Sequence, residues 1–356
     1  MKKAVAVVAV LIIAGSILAG CSSPSPSTPT IAKIGLGHVT SIAKSRDLVV
    51  NEDGTKTPPA GQVDTVIAAV AFDQNGRVVK VTIDTAQTKV DFDENLQVKS
   101  DLGAHGETKV ELGNRYGLSK VSTIGKDWHE QIAELEKWMI GKTVSEIKSL
   151  KVKERDESHK AVPDIPELTS KVTITVEDYL KAVEEAYNNA FDVPKGAVSL
   201  GLGHEISISK SKGYSLVDDI ETLPFAQVDT VIAAAAFDKD GKVVRAIIDT
   251  AQTKVEFDKD GKVTSDRNAS PPTKVELGPK YGLTRVSTIG KDWFEQVAEL
   301  EKWMVGKTVN QITGLKVKQR DESHPAVPDV PELTSSVTIT VHEYLAAIKE
   351  AYENAK

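Results

Sequence analysis

The chain has 356 residues, with 44 Lys and Arg against 51 Asp and Glu and a net charge of −7 at pH 7. That acidic balance excludes binding to nucleic acid through phosphate contacts, which needs clustered positive charge. A single cysteine excludes an intrachain disulfide framework and haem attachment through paired cysteines.

The first stretch, MKKAVAVVAVLIIAGSILAG, places two lysines before an apolar run that ends in small residues. This is the order of a secretory signal peptide, so residues 1–20 are expected to lie outside the fold. Leu18, Ala19, Gly20 and Cys21 close that run and precede the polar stretch SSPSPSTPT. The junction resembles the lipobox of bacterial lipoproteins, which implies acylation of Cys21 and membrane attachment through lipid. Residues 21–32 then read as a Ser/Pro tether, and the expected location is extracytoplasmic, on the bacterial membrane. No second apolar run approaches the ~20 residues that span a bilayer.

From there the chain repeats itself. VDTVIAA begins at Val63 and Val228, IDTAQTKV at Ile83 and Ile248, VSTIGKDW at Val121 and Val286, and RDESH at Arg155 and Arg320. These pairs share one spacing, while GLGH at Gly35 and Gly201 is offset by one further residue. A period this long means two domain-sized units, 33–192 and 193–356, not a solenoid of short repeats. The expected fold class is α+β, with two homologous domains, each an antiparallel sheet with hairpins packed against helices.

Within each unit, β-branched runs flank Asn75-Gly76 and Asp240-Gly241, which predicts a β-hairpin. A second turn is predicted around Asp260 and Gly261; the glycine lies too early in these acidic turns for an EF-hand loop. Trp128, Ile132, Leu135 and Met139 recur at helical spacing, as do Trp293, Val297, Leu300 and Met304, predicting core-facing helices. His129 faces Phe294 in the other copy, which assigns it to packing or surface. Gly141 in GKT follows this stripe and reads as a helix-closing glycine, because a Walker loop needs glycine where Glu136 stands.

Val172, Ile174 and Val176 alternate with Thr173 and Thr175, predicting a half-buried strand that leads into the last helix of the first unit. Thr175 with Asp178, and Thr340 with Glu343, have capping-box spacing. The loops RDESHKAVPD and RDESHPAVPD offer Asp156, Glu157, His159, Asp321, Glu322 and His324 as metal donors, but further ligands cannot be named. They read as solvated loops. No Gly-x-Ser-x-Gly elbow supports a serine hydrolase.

The element order and the stretches ELTSKVT and ELTSSVT resemble the FMN-binding domain family of flavin-carrying redox subunits and electron-transfer lipoproteins. In that family an aspartate is followed by a Ser/Thr-Gly-Ala-Thr run, whose last threonine receives FMN as a phosphoester from a flavin transferase. Here Glu167, Ser170 and Thr173 stand at the matching positions in the first unit, and Glu332, Ser335 and Thr338 in the second. Glutamate replaces the aspartate, Lys171 or Ser336 the glycine, and Val172 or Val337 the alanine. The resemblance implies FMN at Thr173 and Thr338, held covalently or noncovalently, in an electron carrier served by a membrane quinone oxidoreductase. The other expectation is a cofactor-free ligand-binding or scaffold lipoprotein of the cell envelope. Either role is that of a carrier or binding protein more than a stand-alone enzyme.

Overall fold

The computed structural model describes residues 30–356; the signal segment, Cys21 and most of the tether lie outside the described residues. The fold is α+β. In the first half, β1 (Lys33–Ser41), β2 (Ala60–Phe72) and β3 (Val78–Asp91) form an antiparallel sheet. Four helices follow: α1 (Lys109–Leu112), α2 (Trp128–Met139), α3 (Val144–Lys148) and α4 (Glu177–Asn188). A two-residue strand, β4 (Phe191–Asp192), returns to the free edge of β1, so the sheet order is β3-β2-β1-β4.

The second half repeats this order with β5 (Ala197–Ser207), β6 (Phe225–Asp238), β7 (Val243–Glu256), α5 (Lys274–Leu277), α6 (Trp293–Met304), α7 (Val309–Thr313) and α8 (His342–Glu353). Lys356 then exchanges both backbone hydrogen bonds with Leu200, at 3.1 and 3.2 Å, in the place of β4. No described helix is long and apolar enough to cross a membrane.

The central strands are buried on both faces, which is why VIAAVAF and VIAAAAF read as continuous apolar runs. Val66, Ala68, Val70 and Phe72 face the helices of their own half, where Trp128, Leu135 and Met139 are buried as the helical stripe predicts. Ile67, Ala69 and Ala71 face the other way, onto Ile232, Ala234 and Ala236 of the second sheet. The molecule is therefore helices, sheet, sheet, helices, with small side chains between the sheets. At Gly61 a Cβ would stand 2.3 Å from that of Ala226, so the two sheets meet here without a side chain on one of them.

The hairpin and helix-end glycines behave as expected: Gly76, Gly241 and Gly141 all have positive φ. The Asp258 to Gly261 turn is also present, and it reaches across to the first half, where Leu48 N donates to Gly261 O at 2.9 Å.

The hydroxyl-rich segment differs from expectation. Residues 172–176 form no strand, although Val172, Ile174 and Val176 are buried as their alternation requires. Three of their amides find partners without a neighbouring strand: Val172 N donates to Leu168 O, Thr173 N to Gln131 Oε1, and Val176 N to Ala161 O. The capping boxes at Thr175 and Thr340 also do not form. Val176 and Val341 occupy the cap positions, and both threonine hydroxyls are buried without a partner.

Gly35 and Gly37 decide where α4 lies. A Cβ at Gly37 would sit 2.0 Å from Ala182 O, and one at Gly35 would sit 1.7 Å from Ala186 O. The helix backbone therefore rests directly on β1, and Gly201 and Gly203 repeat the contact beneath α8. Gly37→Ala is expected to lower stability by about 3 kcal/mol in urea unfolding, the upper end of ordinary overpacking costs. A loss below about 0.5 kcal/mol, within the range of surface substitutions, would show that the helix is not seated on the strand.

Candidate functional site between the two halves

Seating α4 on β1 brings Glu185 beneath His38. Its carboxylate accepts from His38 N at 3.1 Å and from His38 Nδ1 at 2.9 Å. The other ring nitrogen, Nε2, meets Glu276 Oε2 of the second half at 3.2 Å. Glu276 is held by a capping box: its Oε2 accepts from Thr273 N at 2.8 Å, while Thr273 Oγ1 accepts from Glu276 N. Asp249 Oδ1 accepts from Val275 N at 3.1 Å, tying this short helix to β7.

The second cluster is built the same way with the halves exchanged. His204 donates through its backbone at 2.6 Å and pairs through Nδ1 at 3.0 Å with Glu350 of α8. Its Nε2 meets Glu111 Oε2 of the first half at 3.0 Å. Each half thus supplies a histidine and one glutamate to its own cluster and a capping glutamate to the other.

Both imidazoles are buried. Burial alone would lower their pKa, but hydrogen bonds to the two glutamates and the attraction of those charges outweigh it and raise each to about 10. The same hydrogen bonds hold Glu276 and Glu111 below the usual carboxylate range. Burial raises Asp249 and Asp84 instead. In each cluster the donor atoms of the three side chains lie within 4.8 Å of one another. A divalent cation would have to displace a proton from an imidazolium whose two nitrogens both face carboxylates, so the geometry is that of an ion-paired clamp.

Each clamp borders a cleft. The His38 cleft has a volume of about 340 Å³ and an apolar wall that includes Leu36, Phe191, Ile232 and Ile247. The His204 cleft, of about 440 Å³, has Thr82, His129, Glu136 and Lys356 in its lining. His129 is half-buried there, and its Nδ1 has no partner.

The threonines singled out from sequence lie elsewhere. Thr173 Oγ1 donates to Gln131 Oε1 at 3.2 Å, and Thr338 Oγ1 to Gln296 Oε1 at 3.3 Å. Arg155 and Arg320 grip the carbonyls of these threonines at 2.9 and 3.0 Å. The RDESH loops fold onto themselves, with hydrogen bonds from His159 and Arg155 holding Asp156 down at about 2. Glu167, Ser170, Glu332 and Ser335 are exposed, and no hydrogen bond joins them to the threonines. Thr173 and Thr338 line neither cleft. Their hydroxyls are engaged by buried glutamines, and the helices that follow carry Glu177 and Asp178, or Glu343, in the first turn. Both features oppose a phosphoester at these positions.

Sequence reasoning missed the clamp residues. The signal was present in the repeated GLGH and in the Thr-x-x-Glu boxes at Thr108 and Thr273, but nothing in the chain order pairs a histidine of one half with a glutamate of the other.

No known family profile matches this chain, and no solved structure matches it. It is 36% identical over 94 residues to a chlorophenol reductase from Desulfitobacterium hafniense, across 23% of this chain and 28% of that protein. The similarity therefore spans less than a third of the relative.

Because the histidine pKa values are raised from 6.5, the clamps contribute fully below pH 6.5, and the contribution is lost as pH rises towards 10. Lys109 and Lys274, lowered to about 8 by burial, act with the opposite sign at higher pH. The comparison with a His38→Gln/His204→Gln variant isolates the histidines. Unfolding measured from pH 6 to 10 is expected to show wild type losing its advantage, on the order of several kcal/mol, over this range. A constant difference would mean that the imidazoles are not charged.

Proposed function

We propose that the protein is a lipid-anchored, extracytoplasmic binding protein that holds small organic ligands in the two clefts beside its histidine clamps. The observation that carries this reading is the clefts themselves, each beside a buried imidazolium and within the size range of small-molecule sites. Fixed charges at an apolar wall orient a ligand without needing a cofactor. The tether from Cys21 keeps the binding sites at the membrane surface.

A second reading is favoured by the partial similarity to a reductase. Here the protein carries FMN at Thr173 and Thr338, attached by a flavin transferase, and passes electrons from a membrane quinone oxidoreductase. FMN would supply the redox chemistry. Arg155 and Arg320 would hold the threonine backbones, and Gln131 and Gln296 would have to release the hydroxyls.

Intact mass and visible absorption of protein purified from its native host separate the two. Cleft binding predicts a colourless chain of lipidated polypeptide mass that releases a noncovalent organic molecule on denaturation, at up to two per chain. A yellow protein with FMN mapped to Thr173 or Thr338 would replace it with the carrier reading.

A further inference from the structure

The two ends of the sheets carry opposite charge. Ile31 and Ile34 pack against Ala197 and Leu200, so both halves start their first strands at one end of the molecule. Thr30, the first described residue, lies there in a groove that it shares with Ile140 and Val198. Helices α2 and α6 finish at the same end: Gly141 N donates to Val78 O and Gly306 N to Val243 O, each at 2.8 Å, at the starts of β3 and β7. Each helix closes with one pattern. Trp138 and Trp303 are half-buried, and Ile140 and Val305 are exposed. Lys142 Nζ stands 4.9 Å from the Trp138 ring centroid, and Lys307 Nζ 4.5 Å from that of Trp303.

The acids at this end are already matched. Asp73 and Asp238 accept from amides of their own turns, and Glu146 accepts from Thr143 N. Asp192 pairs with Lys33 at 3.6 Å and Asp240 with Lys239 at 2.7 Å. Among the described residues, Lys142, Lys195, Lys242 and Lys307 have no carboxylate in ion-pair contact, so this end is basic. The opposite end is acidic. Two short hairpins there turn through Glu52-Asp53 and Asp218-Asp219, beside the exposed Leu216, Val217 and Ile220.

The chain emerges from the basic end. Cys21 precedes Thr30 by nine residues, a reach of at most about 30 Å. The 14 residues of β3 separate the two ends by about 45 Å. A lipid on Cys21 therefore cannot hold the acidic end against a bilayer, and an anionic surface would repel it.

We propose that the tether end is a membrane-docking face, resting on an anionic lipid surface with Trp138, Ile140, Trp303 and Val305 among the headgroups and the four lysines on the lipid phosphates. This rests on the reading of Cys21 as the lipid anchor. Indole rings favour the headgroup level, and lysines extend their ammonium groups to the charged surface. The acidic hairpins then point away from the membrane.

The test uses the chain from Cys21 onward, whose one thiol is coupled to a maleimide-headgroup lipid, so that docking is measured whether or not the native thiol is acylated. The vesicles contain phosphatidylglycerol and a phosphatidylcholine brominated in its acyl chains near the headgroup, a short-range quencher of indole fluorescence. Trp128 and Trp293 lie ten residues earlier on the same helices, about 15 Å away, and are buried. Partial quenching is expected in wild type, and none in Trp138→Phe/Trp303→Phe. Changing Lys142, Lys195, Lys242 and Lys307 to Gln is expected to weaken partition of the uncoupled chain onto the same vesicles at least about tenfold, with circular dichroism confirming the fold. Quenching that persists in the double Phe variant, no quenching of coupled wild type, or partition unchanged by the four Gln substitutions would each overturn the docking face. Intact mass of the native protein decides acylation separately: a lipidated chain that shows no quenching refutes the docking face and leaves the anchor standing.

Discussion

Two buried imidazolium ions, each bracketed by carboxylates from both halves of the chain, set the geometry on which the rest depends. A buried charge is costly unless it is paired and hydrogen-bonded. His38 and His204 meet that requirement only when β1 and β5 lie beneath their helices and the two sheets are in register. Each clamp thus acts as a register device: sliding one half along the other would leave an imidazolium facing one carboxylate instead of two.

The small residues make this arrangement reachable. Glycines at 35, 37, 201 and 203 let helix backbone touch strand, which carries Glu185 and Glu350 to their histidines. Alanines on the opposite face, with Gly61 against Ala226, let the sheets approach closely enough for Glu276 and Glu111 to cross over. The glycines lie on β1 and β5, and the alanines on the neighbouring strands β2 and β6. The second half repeats each requirement, and a cleft lies beside each of the two clamps.

The local elements were legible in the sequence, and the site was not. The Trp128 to Met139 stripe, the Asn75-Gly76 hairpin and the closing Gly141 are set by neighbours in the chain, and they stand where periodicity and turn chemistry place them. Residues 172–176 show the limit of such reasoning. Alternation correctly located the buried side chains, but a strand needs a partner edge, and here three of the amides are taken by Leu168, Gln131 and Ala161. The capping prediction failed for a related reason, since burial of Thr175 turned its hydroxyl inward. His38 and Glu185 are 147 positions apart, and Glu276 lies in the other half. Only the tertiary arrangement joins them.

The central claim is that the halves are locked by charge across their interface, so the decisive measurement is a double-mutant cycle on His38 and Glu276. Stabilities of wild type, His38→Gln, Glu276→Gln and the double variant, from urea unfolding at pH 6.5, give the coupling directly. The interdomain clamp predicts a coupling of about 1 kcal/mol or more, as for a buried hydrogen-bonded charge pair. Additive effects, with a coupling within about 0.3 kcal/mol of zero, would mean that His38 and Glu276 do not lock the two halves together.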